Sequence, residues 1–173
     1  EKSSGHSPGF QRDPAYALKQ LNRNLCSPAL PAACASVSLS LVVLNTKTGE
    51  AMCACAGSEP PLILRARGQI ETLRASRMAL GIETGRTYQS VDFRLGKGDA
   101  LLLATDGITK AQKTKSGGST ASLHYEGLTG LALEAFSPGS SPGQMARTVL
   151  SGARAFAGGT FRDHASVLIA LRR

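Results

Sequence analysis

The chain has 173 residues, 42% of them hydrophobic, a length that suits one domain with a core of its own. Twenty Lys and Arg against 12 Asp and Glu leave a net charge of +8, yet only Lys110, Lys113 and Lys115 lie close together and aromatics make up 5%, so neither a basic helix nor a stacking platform for nucleic acid is on offer. No apolar run reaches the length of a membrane span and the opening E-K-S-S-G-H-S has no signal-peptide core, so a cytoplasmic protein with no membrane contact is expected.

Residues 1–12 are polar, carry Gly, Ser and Pro, and show no periodicity, which predicts a loose N-terminal segment. Asp13-Pro14 then reads as a helix start, Asp at the N-cap and Pro in the first turn, followed by Ala17, Leu18, Leu21 and Leu25 at helical spacing. Ser27-Pro28 ends it. From Ala35 the pattern turns to strands: Val37, Leu39, Leu41 and Val43 alternate with serines, and N-T-K-T-G-E (Asn45 to Glu50) reads as a hairpin turn into A-M-C-A-C-A. Short strands are expected at Leu62 to Leu64, Ile70 to Leu73, Tyr88 to Leu95 and Ala100 to Ala104, forming a mostly antiparallel meander. Gln112 to Thr120 predicts a flexible polar loop. Helices are expected near Ala121 to Phe136 and Gln144 to Ala157, the second with Met145, Val149, Leu150 and Ala153 as its buried stripe, before a last strand that Asp163 opens.

Cys26, Cys34, Cys53 and Cys55 form no C-x-x-C pair. Cys53 and Cys55 alternate with Ala, so on a strand both face one side, and free thiols in a reducing compartment are the expectation.

The run G-D-A-L-L-L-A-T-D-G-I-T-K-A (Gly98 to Ala111) carries the most chemistry. Its apolar centre reads as a strand buried on both faces, although a short helix fits the periodicity too, and it delivers Asp106 to the edge of the core. A carboxylate there needs a hydrogen bond, an ion partner or a bound cation, so a turn-forming Asp-Gly and a metal ligand are both open readings. Were the first and last of these late strands neighbours, Asp106 and Asp163 would meet at one sheet edge, an oxygen pair suited to Mg²⁺ or Mn²⁺.

The ordered series A-G-S-E-P-P-L-I-L (Ala56 to Leu64), A-L-G-I (Ala79 to Ile82), L-G-K-G-D-A-L-L-L-A-T-D-G-I-T-K-A (Leu95 to Ala111) and D-H-A-S-V-L-I-A-L (Asp163 to Leu171) resembles the metal-dependent protein phosphatase 2C family. The likeness is greater to the bacterial branch typified by the stage II sporulation protein E and by stress-response regulators of alternative sigma factors. With the helix from Asp13 to Leu25 it covers residues 13–173. It implies an α+β fold, an antiparallel β-sandwich flanked by helices, incomplete here at its N-terminus. It also implies a hydrolase for phosphoserine or phosphothreonine on a signalling protein such as an anti-sigma-factor antagonist, with two Mn²⁺ or Mg²⁺ ions activating a water. By motif, Asp106 and Asp163 fall on metal-binding aspartates, Gly107 on the backbone beside them, and His164 where it could reach phosphate or back a ligand; a regulatory domain or a dimer partner is the expected company.

The departures open a second reading. No acid precedes Asp13 at the distance the family's early ligands require, Lys2 stands where one of them would be, Ser58 replaces a His, Lys110 a Glu, and His164 the second residue of the terminal Asp pair. The chain is then either part of a longer phosphatase or a member that lost catalysis and kept protein binding, its added positive charge drawing phosphate. Histidines His6 and His124 are expected at the surface or in packing, and Arg65 and Arg67 as solvated strand-end charges.

Overall fold

In the computed structural model, residues 13–27, 36–73, 76, 78–114, 118–137 and 139–173 are described. The expected loose segment and Cys34 lie outside them. The chain forms two compact units, Glu1–Gly57 with Ser76–Phe93, and Ser58–Ala75 with Arg94–Arg173.

In the first unit, helix α1 (Pro14–Leu25) starts as its sequence predicts: the Asp13 carboxylate accepts from the Ala15 N–H at 2.9 Å and Pro14 occupies the first turn. The Ser90 hydroxyl donates to the same carboxylate. Strands β1 (Leu39–Leu44) and β2 (Glu50–Ala56) pair antiparallel from Leu39 opposite Ala56 to Leu44 opposite Ala51, with β5 (Val91–Arg94) on the other side of β2. Leu18, Ala54, Ala56, Leu80 and Tyr88 form the core. At its edge the Asn22 amide, 1% exposed, donates to Glu83 O at 2.9 Å and accepts from the Gly81 N–H at 2.8 Å. The A-L-G-I stretch is therefore tied to α1 by a buried side-chain clamp, a role the hydrophobic pattern does not reveal. Cys26, Cys53 and Cys55 are thiols, and the Cys53 and Cys55 sulfurs lie 3.6 Å apart on one face of β2, as alternation predicts.

The second unit holds the sheet β4-β3-β6-β9, with β3 (Leu62–Leu64), β4 (Ile70–Thr72), β6 (Ala100–Ala104) and β9 (Val167–Leu171), all antiparallel. The expected meander is thus corrected: successive strands are dealt to two different sheets, which side-chain alternation cannot distinguish because both sheets use the same apolar code. Leu62, Leu64, Ala100 and Leu102 pack against helices α3 (His124–Ala135) and α4 (Pro142–Phe156) through Leu128, Ala132, Met145, Val149 and Ala153. Ile63 and Leu101, of the opposite pleat, are also buried, so β6 is covered on both faces as its unbroken apolar run implies. Helix α4 carries a capping box, Gln144 N–H donating to the Ser141 hydroxyl at 3.2 Å and Ser141 N–H to the Gln144 side chain at 2.8 Å. The expected loop over Gln112 to Thr120 is corrected in part: β7 (Gln112–Thr114) and β8 (Thr120–Ser122) pair antiparallel.

Candidate functional site

The site is built where β6 ends. Strand β6 pairs with β9 from Ala100 opposite Leu171 to Ala104 opposite Val167, so the exit of one lies beside the entry of the other. Asp106 does not end the strand. It is the first residue of a one-turn helix, α2 (Asp106–Thr109), with Thr105 as N-cap. Asp163 does not open β9 either; it lies in a bend four positions earlier, because the Thr105 hydroxyl and backbone capture the intervening chain before the ladder begins. Thr105 N–H donates to Ser166 O at 3.0 Å, its hydroxyl donates to His164 O at 3.1 Å and accepts from Ser166 N–H at 2.9 Å. This clasp was invisible in the sequence, where Thr105 reads only as the residue before Asp-Gly.

Gly107 completes the junction. A Cβ on it would stand 2.2 Å from the His164 carbonyl oxygen and 2.7 Å from its carbon, a backbone clash with no flexible atom to yield. Glycine is therefore required by close approach of two chain segments, and not by an unusual turn conformation.

Around this junction the side chains differ in exposure and partners. Asp106 is 44% exposed, and its Oδ2 accepts from the Lys110 ammonium at 2.6 Å, one helical turn on. Asp163, 56% exposed, accepts from the His164 N–H at 2.7 Å, while the His164 ring is fully exposed with Nδ1 3.8 Å from Asp163 Oδ1. Half-buried Glu59 accepts from the Thr109 hydroxyl at 2.5 Å, which makes the A-G-S-E stretch a contributor that spacing alone did not single out. The hydrogen bond and charge of Asp106 hold the Lys110 pKa above its ordinary value, and the charges of Asp163 and Glu59 add to this. Lys110 therefore feels all three carboxylates.

These groups do not fit a two-ion centre by themselves. Among the described residues no three His, Cys, Asp or Glu side chains gather to hold a metal, and the cation nearest Asp106 is an ammonium. Other sequence candidates fall elsewhere. His6 is outside the described residues, and His124 is exposed at the start of α3 with φ 58°. Arg65, expected to be solvated, is ion-paired at the opposite end of the sheet: Nη2 to Glu71 at 2.6 Å and Nη1 to Asp99 at 2.7 Å.

Comparison with known proteins agrees with this architecture. The fold is that of the protein phosphatase 2C-like domains: the SiaA-PP2C domain of Pseudomonas aeruginosa matches with a TM-score of 0.75 at 19% identity over 94% of this chain and 61% of that one. The phosphatase domain of the Bacillus subtilis cell fate determinant SpoIIE matches at 0.63 and 19%, over 90% of this chain and 65% of that one; the same domain has also been solved presoaked with Mn. The RsbU and RsbW domains of a Mycobacterium tuberculosis protein match at 0.67 and 21%, over 99% of this chain and 43% of that one. The chain thus spans less than two thirds of these three solved chains. A search of curated protein sequences finds no match. The family model of stage II sporulation protein E matches residues 5–173, and the chain belongs to that family.

Proposed function

We propose that this chain serves as a serine/threonine phosphatase domain of the sporulation and stress-response type, hydrolysing phosphoserine or phosphothreonine on a signalling protein such as an anti-sigma-factor antagonist. The observation that carries the reading is the junction of β6 and β9, which brings Asp106 and Asp163 to the same end of one sheet in a chain of this family. Asp106 and Asp163 are this chain's contribution to a Mn²⁺ or Mg²⁺ site, Gly107 the backbone that lets the segments bearing them approach, and His164 an exposed group for phosphate. Residues 13–173 are read as one phosphatase 2C-like domain, working in the cytoplasm under a regulatory domain or dimer partner. No described helix is long and apolar enough to cross a membrane.

A second reading is favoured by one observation, the Lys110 ammonium in contact with Asp106. A fixed positive charge there draws phosphate without hydrolysing it, and the domain would then act as a phosphoprotein-binding or regulatory module.

Calorimetric titration of MnCl₂ into the chain and into Asp106→Asn, with release of phosphate from p-nitrophenyl phosphate followed alongside, separates the two. Turnover that needs Mn²⁺ and disappears in Asp106→Asn supports the phosphatase. No turnover, with a phosphoserine peptide bound in the presence of EDTA and released by Lys110→Met, supports the binding module.

A further inference from the structure

We propose that the cleft between strand β7 and the C-terminal end of α4 takes an acidic segment of a partner protein, whose Asp or Glu side chains are received by Lys113 and Arg162. This names a feature of the substrate, and the identity of the partner rests on the phosphatase reading. The cleft has a volume of about 380 Å³ and lies wholly in the second unit, with Lys113, Thr114, Phe156, Gly158, Thr160 and Arg162 in its walls. Among the described residues no acidic side chain lines it, and no carboxylate forms an ion pair with either cation, whereas Arg65, Arg86 and Lys110 each have at least one such partner. Two positive charges without a counter-charge in one concave wall are a receptor for carboxylates.

Both cations are already oriented. Arg162 Nη1 donates to Gln112 Oε1 at 2.7 Å, which fixes the guanidinium and leaves the rest of its fork for an incoming carboxylate. Lys113 Nζ stands 4.7 Å from the centre of the Phe156 ring, which supports the ammonium from an apolar side. The helix end in the other wall does not oppose an anion, because its carbonyls are met from within: Ala157 N–H donates to Ala153 O at 3.0 Å, Gly158 N–H to Ala155 O at 3.1 Å, and Arg154 Nε to Gly159 O at 2.6 Å. With an ammonium on the Phe156 ring, the cleft offers no open aromatic face on which a base could stack, so an acidic polypeptide fits it better than a nucleic acid. Along the chain the cleft adjoins the β6–β9 junction: Arg162 precedes Asp163, and Gln112 follows Ala111, whose N–H donates to Ile108 O of α2 at 3.1 Å. An acid flanking the phosphorylated residue is the group this cleft is placed to receive.

The test is fluorescence anisotropy of a short fluorescein-labelled peptide of alternating Glu and Ser with the 173-residue chain, at physiological ionic strength, where charges farther apart than roughly 8 Å are largely screened. Lys113→Gln, Arg162→Gln and their double variant are compared with Arg67→Gln plus Lys97→Gln, the same change of charge in the turns at the opposite end of the sheet. All four positions are exposed, so folding is retained, and circular dichroism verifies it. The expected result is binding about threefold weaker in each single variant and about tenfold weaker in their double, with no more than about a twofold change in the control pair. No binding by the unsubstituted chain overturns the inference, and so does an equal loss in the two double variants, because net charge alone would then explain it. A labelled oligothymidylate bound as tightly as the peptide and released by the same two substitutions overturns it as well. Release of phosphate from p-nitrophenyl phosphate is scored separately: peptide binding that depends on Lys113 and Arg162, without turnover, upholds this inference and removes the phosphatase, whereas turnover without peptide binding upholds the phosphatase and removes this inference.

Discussion

Strand β6 is flanked by two aspartates, each beside a glycine, and they have opposite fates. Asp99, following Gly98, is buried with both oxygens bonded: it accepts from Ala66 N–H at 2.9 Å, Gly96 N–H at 2.8 Å and Arg65 at 2.7 Å. Asp106, preceding Gly107, is 44% exposed and its side chain is held by one lysine. Burial raises the pKa of the Asp99 carboxyl, but the hydrogen bonds from Ala66, Arg65 and Gly96 and the charge of Arg65 outweigh it and leave the group below its ordinary value. A buried carboxylate with both oxygens bonded by its own chain holds the fold. One left partly exposed, with a lysine as its ion partner, contributes little to stability.

Substitutions break this comparison in a definite order. Asp99→Ala removes the acceptor shared by a backbone turn and Arg65 and leaves those donors behind, so denaturant unfolding should show a loss of about 2–4 kcal/mol; a loss under about 1 kcal/mol would mean that the network is not structural. Gly107→Ala forces the His164 backbone to move and should cost about 1–3 kcal/mol, with the added effect that Asp106 and Asp163 separate; unchanged stability would contradict the close approach. Asn22→Ala, in the first unit, strips the Gly81 N–H of its acceptor and should cost about 1–3 kcal/mol in the same assay. Asp106→Asn disrupts only an exposed ion pair and should shift stability by less than about 1 kcal/mol while abolishing Mn²⁺ binding. Thermal melts of Asp99→Ala and Asp106→Asn, run side by side, read the contrast directly.

Acid sharpens the same contrast. Hydrogen bonding to Arg65 chiefly lowers the Glu71 pKa, and Asp99 is lowered too, against ordinary values of 4.5 and 3.8. The unfolded chain therefore takes up these protons first as pH falls, so the stability they contribute is complete above the ordinary values and is lost below them as pH passes through the folded values. Unfolding midpoints measured from pH 6 down to about pH 3 should fall more steeply for the unsubstituted chain than for Asp99→Ala. Parallel curves would show that Asp99 does not carry the acid sensitivity.

Elements with strong local signals were legible. The N-cap at Asp13, the alternation through β1 and β2 and the unbroken run of β6 each encode their conformation in consecutive residues. The place of Asp163 was misjudged by a few residues, and helix α2 beyond the strand was not foreseen, because the Thr105 clasp that shapes this junction has its partners 59 and 61 positions away. Arg65 looked like a solvated charge because Glu71 and Asp99 reach it only through the pairing of β3 with β4 and β6.

The sequence by itself determined the types of element, their order, the ordered motifs that resemble the phosphatase 2C family and which acids stand beside glycines. These are properties of near neighbours along the chain. Only the tertiary structure decided that Asp99 is structural and Asp106 accessible, that Gly107 exists to admit the His164 backbone, and that Lys110 is the cation among three carboxylates. Burial, close approach and the sum of charges at a point depend on residues brought together from 59 to 164, and no local pattern contains them.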